Sequence, residues 1–438
     1  MLKDMTEGNP LRLMIRFSIP LLLVNALQLV YTLADSAVLG RMLGVEAFAS
    51  VGATASTFWL VLSAVLGMSH GFSTVFAQRF GAKDTEGLRR AFVTAVWLTA
   101  VIGVFGGLAG AFGSGGLMRL LGTPPELLHG ASVYLGILLG GLPVTFMYNL
   151  IGAILRALGD SRTPLRAMIY STVLNIVLDV ALVIPFGIAG AAIATLFSQL
   201  CACVYCFRVL HMTGVMKGAG RKWDAASSKA LLRMGLPFGF GNAAIAVGGL
   251  IVQRTVNGYG TEFIAGVAAA KRMYSLLMIA GGAVEAATAT FVAQNFGVGN
   301  MERVKQGVKT GRRMMLISAA GIMTLTLLCG HWILGLLVEG ERVAAVLDAG
   351  VWQLRLLALG LPVVYMLFLY RSALQGLGRP LIPLLSGFTE LIFRIASVLL
   401  LTPLWGEWGV LLSDPIGWLP AAALLALAYG TAVRRITT

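Results

Sequence analysis

Asp35 and Asp179 each interrupt an apolar run long enough to cross a lipid bilayer. At that depth a formal charge costs at least ~2.5–3.5 kcal/mol on insertion scales, so each needs an explanation. Asn175 precedes Asp179 by four residues, which places amide and carboxyl on one helix face. Ala191 and Thr195 repeat that spacing on the next run. Carboxylates, an amide, a hydroxyl and a backbone carbonyl are oxygen donors that suit a hard cation, and a buried carboxyl is also suited to proton exchange. Two readings stand at this point. Either these groups form an exchangeable cation site, or the acids are hydrogen-bonded within the fold or exposed at helix ends.

The second half carries a different set: Lys271, Arg272 and Glu285 in one apolar run, Arg355 in another, and Glu390 with Arg394 in a third. Glu390 and Arg394 are again four apart, which allows an isolated pair that neutralises itself. The alternative gives Arg394 to an anionic group on a substrate, with Glu285 and Glu390 as further candidates for coupling or substrate contact. Cys201, Cys203, Cys206 and Cys329 lie in apolar segments without histidine or acidic partners at zinc-ligand spacing, so no metal site beyond a coupling Na+ is expected. There is no H-E-x-x-H motif, nucleophile elbow or G-x-x-x-x-G-K-[ST] loop. An enzyme, a resident cofactor and direct use of ATP are therefore not expected.

The elements that position these residues must be membrane helices. Hydrophobic residues make up 58% of the 438-residue chain and charged residues 12%, and the mean hydropathy is +0.85. A soluble domain has about a quarter of its residues charged. An all-α integral membrane protein is expected, with twelve spans at 11–39, 46–78, 88–112, 127–152, 164–184, 188–210, 230–256, 263–296, 304–329, 343–372, 381–402 and 408–432. Most Lys and Arg residues, from Lys3, Arg12 and Arg16 through Arg303–Arg313 to Arg371, Arg379, Arg434 and Arg435, fall on one side of this topology. Only Arg41, Arg119, Arg254 and Arg342 fall on the other. That bias places both termini in the cytoplasm of a cell inner (plasma) membrane. It also accounts for the net charge of +14 without nucleic acid.

The two halves repeat one another at an offset of about 216–219 residues. Ser18-Ile-Pro20 and Asn25 match Gly235-Leu-Pro237 and Asn242, and Ala77-Gln-Arg-Phe-Gly81 matches Ala293-Gln-Asn-Phe-Gly297. Gly141-Leu-Pro143 matches Gly360-Leu-Pro362, and Leu155-x-x-Leu-Gly159 matches Leu374-x-x-Leu-Gly378. The expected organisation is a six-helix lobe over 1–210, a cytoplasmic linker over 211–229 and a second six-helix lobe over 230–438. An even number of spans per repeat puts the pseudo-twofold axis along the membrane normal, an architecture suited to alternating access.

With Asp35-Ser-Ala-Val-Leu-Gly40, Ala77-Gln-Arg-Phe-Gly-Ala82, Arg156-Ala-Leu-Gly-Asp-Ser-Arg-Thr-Pro164, Gly187-Ile-Ala-Gly-Ala-Ala192, Ala293–Gly297 and Leu374–Pro380 in order, the chain resembles the multidrug and toxic compound extrusion (MATE) transporters over its full length. The resemblance implies two six-helix lobes and efflux of organic, cationic or amphipathic compounds against H+ or Na+. It also implies a cation site at Asp35, Asn175, Asp179 and Thr195 with the Ala191 carbonyl, and a place for Tyr148 in a proton-linked network. The acids that some members carry in the second lobe fall near Ile245 and Val364 here, so a cation site there is not expected. A monomer with lipid and small-molecule partners is expected. The competing reading is a lipid-linked oligosaccharide flippase of the same superfamily, kept open by Arg394 and Lys271.

Overall fold

The computed structural model describes residues 3–218, 223–335 and 343–437. Among them every regular element is an α-helix, in the order α1 (Pro10–Gly81), α2 (Thr85–Leu120), α3 (Pro125–Gly140), α4 (Leu142–Ala157), α5 (Arg162–Phe186), α6 (Ile188–Met212) and α7 (Ala225–Val256). These are followed by α8 (Thr261–Gly297), α9 (Met301–Gly335), α10 (Val343–Leu359), α11 (Leu361–Gly376), α12 (Leu381–Trp405), α13 (Glu407–Leu411) and α14 (Ser413–Thr437). Ten of the helical stretches are long and apolar enough to cross a membrane, and twelve spans result if each of two bent helix pairs counts as one. Helices suit this role because they satisfy their backbone groups internally in a solvent that offers no hydrogen bonds. Large apolar side chains point outward as they would toward lipid: Phe112 is 87% exposed and Ile184 74%.

The long α1 is two spans, interrupted at Gly44, whose φ of 81° leaves the helical region. This agrees with the break expected between residues 39 and 46. Two other spans, expected as single helices over 127–152 and 343–372, are broken instead. α3 and α4 meet at 48°, and α10 and α11 at 46°. Both breaks fall on the repeated Gly-Leu-Pro motif. Pro143 and Pro362 sit at the start of α4 and α11 and have no N–H to give the carbonyl one turn back. The bend at Pro143 is also packed against α2, where a Cβ on Gly103 would lie 2.8 Å from the proline Cα.

The chain forms two compact units, and their boundaries do not follow the 211–229 linker. One unit comprises Met1–Asp4 with Leu23–Gly239, the other Met5–Leu22 with Phe240–Thr438. Thus α1 begins in the second unit and continues in the first, and α7 does the reverse. The packing explains each membership. Met5, Met14, Phe17 and Leu21 join Ala283, Ala287 and Phe291 of α8 in one buried cluster. At the start of α7, Gly235 and Phe238 lie against the second span of α1 so closely that a Cβ on Gly71 or Gly67 would reach within 2.6 or 2.4 Å of α7 backbone. Each handover falls two or three residues after a repeated proline, Pro20 in α1 and Pro237 in α7. Of the basic residues used for the topology, Arg221, Lys222 and Arg342 lie outside the described residues. Arg371 is a correction: it lies within α11 and is paired inside the second unit, so it is not a loop cation.

Candidate functional site

In the first unit three helices each present a pair of polar or small residues four apart: Tyr31 and Asp35 on α1, Asn175 and Asp179 on α5, Ala191 and Thr195 on α6. What brings α5 and α6 together is local. Gly187, at φ 58°, turns the chain between them. Gly190 then lets α6 touch α5 backbone to backbone, since a Cβ there would fall 2.2 Å from the Leu182 carbonyl oxygen. Ala191 and Val183 are buried with Leu39 of α1 and Tyr134 and Leu138 of α3, so an apolar cluster flanks the polar residues.

Asn175 and Asp179 are fully buried and Thr195 is 8% exposed. The Asn175 Nδ2 donates to Asp179 Oδ1 at 3.3 Å, and the Tyr31 hydroxyl donates to Thr195 Oγ1 at 3.2 Å. Asp35 and Asp179 face each other closely enough for their carboxyl groups to interact directly. Three buried oxygens of this group have no hydrogen-bond partner among the described residues: Asp35 Oδ1, Asn175 Oδ1 and Asp179 Oδ2. No Lys or Arg among the described residues acts on either carboxyl group. Two facing carboxylates without a counter-charge are unfavourable in a low-dielectric interior. Orphaned buried acceptors add to that cost. A hard cation, or a proton, bound among these oxygens relieves both.

The structure thus brings together Asp35, Asn175, Asp179, Ala191 and Thr195. The Tyr148 hydroxyl is directed at the Met168 sulfur, 3.9 Å away, and lies within electrostatic range of Tyr31. Tyr31 and Tyr134 went unread in the sequence. Both lie within electrostatic range of the two acids. Tyr31 could have been found, because it stands four residues before Asp35 just as Asn175 stands before Asp179.

The second unit does not rebuild this site. The repeat offsets of 217 and 219 carry Asp35, Asp179 and Ala191 onto Val252, Val398 and Val410, and these three valines share one buried apolar cluster. The offset of 219 also carries Asn175 onto Arg394 and Thr195 onto Asp414. There an ion pair stands in place of the amide and hydroxyl, with Arg394 Nη2 3.0 Å from Asp414 Oδ1. The expected isolated Glu390–Arg394 pair is therefore part of a longer chain of charge. Arg394 Nη2 is 2.8 Å from Glu390 Oε1, and Arg371 Nη2 is 3.4 Å from Glu390 Oε2. Glu285 lies within electrostatic range of Arg371 at the far end.

The MatE family profile matches twice, over residues 20–181 and 237–400, one match to each repeat. The probable multidrug resistance protein YpnP of Bacillus subtilis is 36% identical over 306 residues, 69% of this chain and 68% of that protein. The probable multidrug resistance protein YoeA of the same organism is 31% identical over 343 residues, 76% and 74% of the two chains. Among solved structures, a MATE protein in complex with MaL6 superposes with a TM-score of 0.91 at 23% identity, over 99% of this chain and 98% of that one. A MOP superfamily transporter from Pyrococcus furiosus gives the same TM-score at 22% identity and the same coverage. At those identities the structures speak for the fold, which is theirs. With two profile matches that together span most of its length, the chain belongs to the MatE family of multi-pass membrane transporters.

Proposed function

We propose that the protein exports organic compounds, cationic or amphipathic in character, by alternating access driven by inward flow of H+ or Na+. The observation that carries the reading is the set of three buried oxygens on Asp35, Asn175 and Asp179 that lack a hydrogen-bond partner among the described residues, with no Lys or Arg there acting on either carboxyl group. Asp35 and Asp179 supply charge that must be compensated, Asn175 and Thr195 supply neutral oxygens, and the Ala191 carbonyl completes the set. Binding a cation discharges the site, and its release on the other side of the membrane restores the charge. The relatives' names point the same way: YpnP and YoeA are named as probable multidrug resistance proteins, and a 21% identical Staphylococcus saprophyticus relative, MepA, as a multidrug export protein. The basic bias of the loops supports an inner-membrane orientation with both termini cytoplasmic, and one chain holds a whole candidate site, as a monomer requires.

The test is ethidium transport in proteoliposomes with a proton or a sodium gradient imposed separately. One gradient should drive transport, and Asp35→Asn and Asp179→Asn should each abolish that coupling at equal protein abundance. Transport by both variants at the parent rate would remove the site from the mechanism, and strict dependence on ATP would remove ion coupling altogether.

A further inference from the structure

We propose that the second unit holds a subsite for an anionic group of the transported compound, a carboxylate or a phosphate, built on Lys271 and Arg394 with Gln253 and Tyr274 beside them. The proposal rests on the efflux reading above and adds to it a class of substrate. Its basis is an excess of unused donors over acceptors.

Arg394 is 8% exposed, and both of its ion pairs leave through the same nitrogen, Nη2. Its Nε is buried without a partner among the described residues. Arg371 spends one nitrogen on Glu390 and likewise keeps a buried Nε with no partner among them. Among the described residues no ion pair is formed by Lys271. Its Nζ donates to the Gln253 side-chain oxygen at 3.3 Å, and Gln253 in turn donates to Asn257 Oδ1 at 2.9 Å. The ammonium has three donors and uses one. Much of the nearby acceptor capacity is engaged: Glu390 takes two guanidinium groups, and one oxygen of Asp414 is held by Arg394.

The pieces act on one another electrostatically and are partly accessible. Lys271 lies within electrostatic range of Asp414 and Arg394, and Tyr274, three residues along α8, within range of Asp414, Arg394 and Glu390. Lys271, Gln253 and Tyr274 are half-buried while Asn257 is exposed, so the donors grade from the surface inward. Arg394 is held by packing. A Cβ on Gly417 would fall 2.8 Å from its Cγ, and one on Gly248 3.6 Å from its Cδ, so these glycines leave room for the side chain and fix its direction. Tyr274 stacks on Trp418 with ring centroids 5.7 Å apart, which gives an aromatic wall beside the charges. Arranged donors of fixed direction next to an aromatic surface recognise a planar ring that carries an acid. Asp414 and Glu390 keep the empty site close to neutral, so an anion is drawn chiefly by Lys271.

The experiment measures binding to the purified full chain in nanodiscs, with matched probes that differ in one acidic group. Fluorescein is compared with its methyl ester for the carboxylate, flavin mononucleotide with riboflavin for the phosphate, and ethidium serves as the cationic reference. At least one acid should bind more tightly than the partner that lacks the acidic group. Lys271→Met should weaken that anion about ten-fold, as expected for one lost charge-assisted hydrogen bond. Lys271→Arg should restore it, and ethidium should lose far less than the anion. Lys271 makes no ion pair among the described residues, so the Met variant is expected to fold, and its melting temperature checks this. If neither acid outbinds the partner that lacks its acidic group while ethidium binds, the anion subsite is wrong and the efflux reading stands. Should ethidium transport also fail in the parent under either gradient, the efflux reading fails with it. An equal loss of all probes in Lys271→Met, unrepaired by Lys271→Arg, would make Lys271 structural and overturn the subsite.

Discussion

Single residues in this chain divide into those that hold the fold and those kept short of partners. Asp160 belongs to the first kind. Its Oδ1 accepts from the backbone N–H groups of Arg162 and Thr163, at 2.9 and 3.0 Å, and its Oδ2 from the Thr163 hydroxyl at 2.7 Å, so it caps the start of α5. Burial pushes its carboxyl upward, but hydrogen bonds, those from Thr163 foremost, together with nearby positive charge outweigh burial and hold it below the usual carboxylate range. Asp160→Ala should cost about 1 kcal/mol at neutral pH. Because the folded-state pKa is depressed, that contribution is present above the unfolded value and is lost as pH falls through the folded one. The gap between parent and variant should therefore close only below about pH 4. Thermal melts across pH check it, and a gap that closes near pH 6 would point to another group. Glu390 also holds the fold. It is 4% exposed in its side chain and answers two guanidinium groups. Glu390→Gln should destabilise by about 3 kcal/mol, the lower end for a buried pair broken on one side, because Arg394 retains Asp414. Replacing Arg394 by Met in the same protein should not rescue it, since Asp414 then loses its partner; a full rescue would show that Glu390 and Arg394 act alone. The sequence made the Glu390–Arg394 pair legible through its spacing of four. Asp414 stayed hidden because it follows a short helix after a turn, where no periodicity links it to Arg394.

At the scale of elements, hydropathy located the stretches that form the ten to twelve candidate spans but not the two bends. A window average counts apolar side chains, and Gly-Leu-Pro is apolar enough to pass. The information was present in the proline itself, whose missing N–H breaks the helix ladder in both repeats. The α5–α6 approach was likewise unreadable, because a glycine inside an apolar run does not announce what it will touch. Gly190 meets the Leu182 carbonyl, and its counterpart Gly409 meets Thr402 in the second unit, where a Cβ would fall 2.3 Å from the backbone nitrogen. Gly190→Ala should separate α5 from α6, lower the melting temperature and weaken the cation site formed across them. Gly321, in the middle of α9, has nothing within 4 Å of its would-be Cβ. Gly321→Ala should therefore leave stability unchanged or raise it by up to about 1 kcal/mol through helix propensity. Paired melts of the two variants check this: equal effects would mean that helix propensity, not close approach, governs Gly190.

Over the whole molecule the duplication explains more than topology. Both copies follow the same plan of Pro-containing first helix, Gly-Leu-Pro bend and glycine turn, with Gly187 and Gly406 at equivalent places. Their interiors nevertheless diverged, one toward facing carboxylates and the other toward valines and a salt-bridge chain. The repeat boundary was plain in the sequence, whereas the compact units were not, because membership is decided by packing far from the linker. Residues 5–22 pack with the second unit and residues 225–239 with the first. A cut inside 211–229 therefore leaves each half without a segment that its own unit needs. The N-terminal half lacks the start of α7, which closes against Gly67 and Gly71. The C-terminal half lacks Met5, whose N–H donates to the Gln294 side chain at 2.8 Å and whose carbonyl accepts from Asn295 and Arg303 at 3.1 Å each. It also lacks Met14 and Phe17, which fill the cluster around Phe291. Each half expressed alone should thus be degraded or elute as aggregate, and the two expressed together should recover a complex that co-purifies and transports. Adding residues 1–22 as a separate peptide to the C-terminal half should raise its melting temperature, because that peptide completes a unit and not merely a sequence. A C-terminal half that is monodisperse and as stable as the parent without the peptide would show that the linker, rather than the exchanged helix segments, marks where the molecule divides.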